Sequence, residues 1–370
     1  MADWNERFVS TSYRFMRVRR SDGIETEMLR TLAGGTITRN DDTRIKESAQ
    51  VGVMGAIDFG PDLVRVYMTA EWADGGRADV PLGTFLPVVP GRNIGAGYST
   101  ATVKMYGRLQ ELLDDRFSSP VTLSKGENAV ATAKRVCEKA GLTVVSDASD
   151  YAITNTRAYG FGVQQSNSQT GDTKLDMVND LLDLAGFRAA FTDPMGRVVF
   201  RRYRDPSEIA PTWTFEEGPS AKFEAAMTEE YDMTSTANHV VVCYGPDDKG
   251  NEVRAEAWDR DPSSPLSTAS RGRTITKGYS YTDLPPGKTQ AERQDYADKR
   301  ARSLLNTAQS VIRRITMRSA YAPVTVNDTV NLVYASAGID EKFQIRAQTL
   351  SLGGGCATTT ELRRFRRRNG

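Results

Sequence analysis

The most regular alternation of apolar and polar residues lies in the stretch 63–116. In its opening segment LVRVYM, the residues Val64, Val66 and Met68 alternate with arginine and tyrosine, and a period of two predicts a half-buried strand. The tripeptide DGG at 74–76 tolerates positive φ and predicts a hairpin turn. The stretch therefore begins with two strands joined by a hairpin.

The same stretch continues with a third strand, STATVKMY, and a short helix, LQELLDDR. Two further strand candidates precede it, at 13–20 and 31–40. Several short strands separated by turn signals favour a small barrel or sandwich. We therefore predict a first β-barrel domain over residues 1–118, whose strands carry no candidate catalytic group.

Residues 119–205 have a different pattern. Ser124 and Glu127 have the spacing of a capping box, and an apolar stripe at helical spacing follows them up to Gly141. A second helix is predicted at 173–185, and two short strands, FRAAF and RVVFRRY, flank the turn sequence DPMG. We predict a small α+β unit of two helices and a hairpin, inserted after the first barrel.

The β character returns over residues 206–352. The segment NHVVVCY at 238–244 is a continuous apolar strand, and Thr289 and Glu292 form a second capping box that predicts the start of a long helix. Strands follow at VIRRITMRS, DTVNLVY and KFQIRAQTLSL. We predict a second barrel with one long helix, followed by a flexible arginine-rich tail over 353–370. The fold class is therefore α+β and β-rich.

Composition excludes several classes of protein. The chain has 370 residues with 48 basic and 47 acidic side chains, which excludes a broadly basic nucleic-acid binder. The three cysteines, Cys137, Cys243 and Cys356, are too scattered for a disulfide framework or a thiolate zinc site. The sequence has no apolar run of membrane-spanning length, and its first residues lack the apolar core of a signal peptide.

Candidate catalytic chemistry is sparse. His239 is the only histidine and lies in an apolar strand, where a structural role is favoured over a catalytic triad. The adjacent carboxylate pairs do not face one another, so none is a credible acid–base pair. The segment PGKT at 286–289 lacks the upstream glycine of a phosphate-binding loop, because residue 282 is threonine. We predict no catalytic, cofactor-binding or metal-binding residues and no cofactor.

The one local concentration of charge is the C-terminal segment ELRRFRRRNG. Its arginines are candidate contacts for a partner or a nucleic acid, namely Arg363, Arg364, Arg366, Arg367 and Arg368. Three interpretations remain open: binding to phosphates, binding to an acidic patch on a partner chain, or a disordered and solvated tail.

The order of these segments resembles the tail-hub, or baseplate-hub, family of tailed bacteriophages, which includes minor tail proteins of the tail tip. The segments that carry the resemblance are VPLGTFLPV (80–88), TVKMYGRLQELLDDRF (102–117), VTLSKGENAVATAKRVCEKAGL (121–142), the helix–hairpin segment 174–208 and the segment 237–267. The late strands VTVNDTVNLVY and KFQIRAQTLSL complete the order. Each segment alone is a weak signal, and together they cover most of the chain.

The resemblance implies a structural virion protein rather than an enzyme. It implies two tube-like β-barrel domains per chain and a homotrimer, whose pseudo-sixfold ring adapts the hexameric tail tube to a threefold tip. Expected partners are a distal tail protein or tail-tube ring on one side and spike or fibre proteins on the other. DNA and the tape-measure protein would pass through the lumen, with no small-molecule substrate. The expected location is the virion tail tip, after assembly in the bacterial host cytoplasm.

Two alternatives from other functional classes remain. A tail-associated cell-wall hydrolase is suggested by family neighbours and by carboxylates near His239. A receptor- or carbohydrate-binding tail protein is suggested by Trp213 and Trp258, provided that these rings are exposed.

Overall fold

The computed structural model describes residues 4–32, 34–55, 57–88, 92–95, 98–160, 172–231, 236–247, 249–310 and 313–364. Strands occur from the N-terminal segment to residue 364, and the longer helices lie in two places along the chain. The prediction of a β-rich α+β fold is confirmed.

The first eight strands form what we call the first half-sheet. They are β1 (Phe8–Val18), β2 (Glu25–Met28), β3 (Thr36–Asn40), β4 (Glu47–Met54), β5 (Leu63–Trp72), β6 (Arg77–Val88), β7 (Arg92–Gly95) and β8 (Tyr98–Gly107). The hairpin between β5 and β6 is confirmed, because the Trp72 N–H donates to the Gly76 carbonyl across the predicted turn.

The first half-sheet closes on itself. Its strands pair in the order β4, β8, β6, β5, β1 and β2. The chain just after β2 then returns to β4, where Leu32 N–H donates to Gly52 O at 2.8 Å and Met54 N–H donates to Arg30 O at 3.1 Å. The enclosed core is apolar and includes the fully buried Phe85. Closure protects strand edges that would otherwise attract other chains.

A second group of elements forms the α+β unit. Its elements are α1 (Gln110–Asp114), β9 (Val121–Leu123), α2 (Ala129–Lys139), β10 (Val144–Ser146), β11 (Arg157–Tyr159), α3 (Lys174–Leu184), β12 (Phe191–Thr192) and β13 (Val198–Phe200). The unit has its own apolar core, in which α2 and α3 pack together over β13.

The predicted start of α2 needs a correction. The helix begins after Asn128, whose side chain accepts the backbone N–H of Ala131 at 2.8 Å. Glu127 does accept the Ser124 N–H, but both residues lie before the helix. Asparagine is itself a strong N-cap residue, so the nearer cap prevails over the predicted box. For α3, the cap is a capping box that begins at Thr173.

The remainder of the chain contains two separate cores. Its elements are β14 (Trp213–Glu216), β15 (Phe223–Tyr231), β16 (His239–Tyr244), β17 (Val253–Trp258), α4 (Thr268–Arg271), β18 (Thr276–Tyr281), α5 (Gln290–Ser310), β19 (Arg313–Ser319), β20 (Thr329–Tyr334), β21 (Ile339–Ser351) and β22 (Thr358–Arg364). We call β14, β15 and β19–β22 the second half-sheet. We call β16–β18 with α5 packed on them the helix-covered sheet.

Two features of this region differ from the sequence prediction. Residues 206–352 were predicted to form one barrel, whereas the helix-covered sheet has a core of its own. Residues 358–364 form β22 in the middle of the second half-sheet, although the sequence predicted a flexible tail over 353–370. The buried side chains of β22 are Thr358, Thr360 and Leu362, so hydroxyl groups replace most of the apolar residues that identify a strand.

The two half-sheets join edge to edge. Strand β21 pairs antiparallel with β3, with Ser351 opposite Thr36 and Ala347 opposite Asn40. Among the described residues, fourteen strands thereby form one sheet. Residues near the N-terminus reinforce the junction, because the Tyr13 hydroxyl donates to the Gly353 carbonyl at 2.7 Å.

Both half-sheets contain the same strand order. In chain order, five strands of the first are β3, β4, β5, β6 and β8, and they lie side by side as β5-β6-β8-β4-β3. Five strands of the second are β15, β19, β20, β21 and β22, and they lie side by side as β20-β21-β22-β19-β15. Every neighbouring pair in both sets is antiparallel. The chain therefore contains one five-strand pattern twice.

Candidate functional site at the junction of the half-sheets

One row of side chains crosses the joined sheet on its solvent side. Successive cross-strand partners in this row are Arg318, Thr359, Thr349, Thr38, Ser48, Tyr106 and Leu86. The adjacent row faces the cores, since alternate residues of a strand point to opposite faces. The solvent face is therefore continuous over both half-sheets, and hydroxyl groups occupy five of the seven positions in this row.

An ion-pair network stabilises the junction. Arg346 of β21 lies 2.7 Å from a carboxylate oxygen of Asp41 and 2.6 Å from one of Asp42, in the turn between β3 and β4. Arg363 of β22 contacts the second oxygen of Asp42 at 2.6 Å. Burial would raise the pKa of Asp41, but Arg346 and Lys46 outweigh it and hold that pKa below its usual range. The network joins residues more than 300 positions apart.

The predicted arginine site divides into two parts. Arg363 pairs with Asp42 and Glu361, and the Arg364 Nε lies 2.9 Å from a Glu341 carboxylate oxygen. Both side chains are therefore engaged by carboxylates of their own chain. The other predicted contacts, Arg366, Arg367 and Arg368, lie outside the described residues.

The hairpin of the α+β unit docks on the first half-sheet. Its turn is the predicted DPMG sequence, in which the Gly196 N–H donates to Asp193 O. The Thr84 hydroxyl donates to Pro194 O at 3.0 Å, and Arg65 donates to Met195 O at 3.3 Å. Gly196 has φ +79°, and a Cβ there would lie 2.9 Å from the Thr84 Cβ. Glycine permits both the backbone conformation and the close approach.

A half-buried carboxyl group lies beside this docked hairpin. Glu47, at the start of β4, accepts a hydrogen bond from the Thr192 hydroxyl of β12 at 3.0 Å. Burial raises the pKa of Glu47 to about 7, although Arg39 and the Thr192 hydroxyl act in the opposite direction. The contact between the α+β unit and the first half-sheet therefore contains a group that titrates near neutral pH.

A fully buried aspartate connects the α+β unit to the helix-covered sheet. Asp283 follows β18 and accepts backbone N–H groups from Thr154 and Asn155, both at 2.8 Å. Arg157 forms ion pairs with both Asp283 and Asp180. Hydrogen bonds and a countercharge compensate the cost of burying the Asp283 carboxylate.

His239 lies in a bonded cluster on the helix-covered sheet. Its ring stacks on Trp258 with centroids 3.5 Å apart, and its Nδ1 lies 2.9 Å from the Thr276 hydroxyl. Its Nε2 lies 3.3 Å from Glu256, which also accepts the Trp258 indole N–H. The guanidinium of Arg260 lies 4.6 Å from the Trp258 centroid. The cluster connects β16, β17 and β18, and the Trp258 side chain is 36% exposed.

Other predicted features have clear positions. Glu292 and Thr289 bond each other's backbone N–H groups, which confirms the capping box at the start of α5. Within the described ranges, no group of three or more His, Cys, Asp or Glu side chains is arranged to hold a metal ion. In the same part of the chain, no helix is long and apolar enough to cross a membrane.

Several solved tail proteins share this architecture over nearly the whole chain. The tail protein from Neisseria meningitidis matches with a TM-score of 0.61 and 15% identity, over 95% of this chain and 96% of that chain. The 43 kDa tail protein of a Shewanella oneidensis prophage matches with a TM-score of 0.57 and 12% identity, over 95% and 98%. A prophage tail protein from Listeria monocytogenes matches with a TM-score of 0.55 and 15% identity, over 95% and 94%.

This chain has the fold of these tail proteins. No protein-family model matches the sequence, and no curated protein matches it. The resemblance inferred from the order of the sequence segments is confirmed at the level of the fold.

Within this tail-protein fold, the sequence prediction missed the residues that join the half-sheets. Asp41 and Asp42 lie in an ordinary polar turn, and Arg346 lies in a strand whose partner is some 300 residues away. The one available signal was a pair of acidic residues next to β3 and several arginines near the C-terminus. Charge complementarity alone does not identify which of the many charged residues meet.

Proposed function

We propose that this protein is a structural, non-catalytic component of a phage tail, forming a trimeric hub at the tail tip. In this proposal, three chains contribute six half-sheets to a ring, which adapts a hexameric tail tube to a threefold tip. A tail-tube ring or distal tail protein binds one side, and spike or fibre proteins bind the other.

The observation that carries this proposal is the repeated five-strand pattern. Two copies of one pattern in each chain make three chains equivalent to six units, which is how a threefold assembly can match a sixfold partner. The edge-to-edge contact of β3 and β21 supplies one junction of such a ring inside a single chain.

The hydroxyl-rich face of the joined sheet suits the wall of a DNA path. Strong binding of DNA depends on lysine and arginine contacts to phosphates. Threonine and serine side chains fill the central part of the row, including Thr38, Ser48, Thr349 and Thr359. Because these central positions carry hydroxyl groups rather than cations, they would let DNA and the tape-measure protein pass without holding them.

Gold-labelled antibodies against the chain, imaged on intact particles, test the location. The proposal expects label at the tail tip only, and particles lacking the protein to have no completed tip. Label along the tail shaft or on the capsid, or complete tips without the protein, would overturn it.

A further inference from the structure

The repeated pattern allows equivalent positions in the two half-sheets to be matched. Val64, Phe85 and Gly107 lie side by side on β5, β6 and β8. The corresponding row on β20, β21 and β22 is Val330, Phe343 and Arg364. Phe85 and Phe343 both have fully buried side chains, so the two rows have the same orientation towards their cores.

Counting residues along the strands from these rows identifies the positions that are equivalent to the β3–β21 junction. On β8, Ala101 lies opposite Arg92 of β7, and on β22 the matching Thr358 lies opposite Leu350. Strand β7 therefore corresponds to the end of β21, with Asn93 in the place of Ser351. On the other side, β15 corresponds to β3, and Thr228 takes the place of Thr36.

Within the chain, the pairing seen between β3 and β21 therefore forms at one place. The equivalent strands β15 and β7 do not pair with each other among the described residues. Strand β3 pairs with β4 on one side and with β21 on the other. Its counterpart β15, as far as the described residues go, pairs only with β19. Likewise β7, the counterpart of the end of β21, pairs among these residues only with β8.

Two apolar side chains at equivalent positions differ sharply in exposure. Leu352 follows the junction strand β21, donates its N–H to Gly35 O at 2.9 Å, and is 3% exposed. Its counterpart Ile94 on β7 is 73% exposed, more than any other large apolar side chain among the described residues. Such exposure on a strand edge is typical of a surface that another chain covers.

We propose that β15 of one copy pairs antiparallel with β7 of the next copy, in the register of the β3–β21 junction. Thr228 then lies opposite Asn93, and Met227 lies opposite Ile94. The partner is a second copy of this chain, because every copy carries both strands. Its β15 can cover β7 of one neighbour, and its β7 can pair with β15 of the other neighbour. The inference rests on the proposed trimer and specifies the contact that forms it.

The contact is head-to-tail. Each copy places its β15 against β7 of the next copy and pairs its own β7 with β15 of the preceding copy. Heterologous contacts of this kind form a closed ring when the rotation between copies closes. The proposed contact and the β3–β21 junction then alternate around that ring. Burial of Ile94 against Met227 adds an apolar cross-strand pair to the new backbone hydrogen bonds.

A cysteine pair tests the register directly. In the template junction, Leu352 and Gly35 share a backbone hydrogen bond, so the next pair, Ser351 and Thr36, is a non-hydrogen-bonded pair with side chains close together. The equivalent double variant, Thr228→Cys with Asn93→Cys, has geometry suited to a disulfide between copies. Mild oxidation of the full chain, followed by non-reducing electrophoresis, should give covalent dimers and trimers.

The controls separate this contact from oligomerisation in general. Each single variant, and the pair Lys277→Cys with Asn93→Cys, should stay monomeric on the gel, because Lys277 lies on the helix-covered sheet. Light scattering on the unoxidised protein gives the assembly state independently. A trimer by light scattering with no cross-link in the double variant would overturn the strand pairing and leave the proposed hub intact. A monomer by light scattering would overturn both.

A second variant keeps the test independent of disulfide geometry. Ile94→Asp should reduce the trimer fraction at least tenfold at equal protein concentration, because it places a charge opposite Met227. Ile24→Asp is the matched control, since Ile24 is 54% exposed and lies in the turn between β1 and β2, strands that pair with each other and with β5. Equal trimer fractions for the two variants would contradict the proposed contact.

Discussion

The two half-sheets have the same strand order, but their edges differ in whether another strand of the same chain covers them. The edge of β3 is covered by β21 of the same chain, whereas β15 and β7 pair with one neighbour each among the described residues. The difference is largest at Leu352 and Ile94, which are 3% and 73% exposed at equivalent positions. The covered edge therefore serves as an internal template for the uncovered one. Because the strand pattern is repeated, the covered edge shows how the equivalent uncovered edge can pair with another strand.

Placing the same charge at Leu352 and at Ile94 should give the largest difference in stability between the covered and the uncovered edge. Leu352→Asp should lower the free energy of unfolding by about 5 kcal/mol, because a buried apolar contact is lost and a carboxylate is left unpaired. Ile94→Asp should change the stability of the isolated chain by less than about 0.5 kcal/mol. Denaturant titrations at a concentration where the chain is monomeric measure both. Similar losses for the two variants would remove the distinction between the covered and the uncovered edge.

The equivalence of the two cores can be tested with the paired phenylalanines. Phe85→Ala and Phe343→Ala should each cost about 3–5 kcal/mol, since both side chains are fully buried. Thermal unfolding followed by circular dichroism and by tryptophan fluorescence reports both losses. A loss several times larger at one position than at the other would show that the half-sheets do not stabilise the chain alike.

The ion-pair network at the junction should contribute less. Asp42→Ala removes contacts to Arg346 and Arg363, and the Asp42 side chain is 42% exposed, so the expected loss is about 1 kcal/mol. The matched control is Glu138→Ala, which breaks an exposed pair with Lys134 and should cost less than about 0.5 kcal/mol. The difference between the variants should shrink in high salt. An undiminished difference would assign the effect to something other than charge.

The smallest expected effect depends on pH and involves Glu47. Its pKa is raised by burial from 4.5 to about 7, so the folded chain holds a proton that the unfolded chain releases. The resulting stabilisation is fully present below pH 4.5 and is lost as the pH rises to about 7. Glu47→Gln keeps an acceptor for the Thr192 hydroxyl and should flatten the dependence of melting temperature on pH in this window. An unchanged pH profile would contradict the assignment.

Local patterns in the sequence predicted local structure well. Strand β5 and the hairpin after it follow from strict alternation and a glycine turn, and the capping box at Thr289 correctly marks the start of α5. Strand β22 was missed because Thr358 and Thr360 occupy buried positions that usually hold apolar residues. Its arginines suggested a solvated tail, yet Arg363 pairs with Asp42 at the junction.

The arrangement of the strands was beyond the reach of local patterns. Pairing of β3 with β21 joins residues more than 300 positions apart, and no period-two signal specifies a partner strand. The repeated order is further obscured because the helix-covered sheet is inserted between β15 and β19. The two copies of the pattern are recognisable only once strand pairing is known.

We propose that the half-sheets are equivalent units of one threefold ring. Electron cryo-microscopy of the purified assembly, with its mass from light scattering, tests this most directly. We expect a mass of three times 40.7 kDa and a ring of six similar lobes in which three chains alternate their two half-sheets. A ring of two, four or six chains, or three chains in contact through surfaces other than β15 and β7, would contradict it.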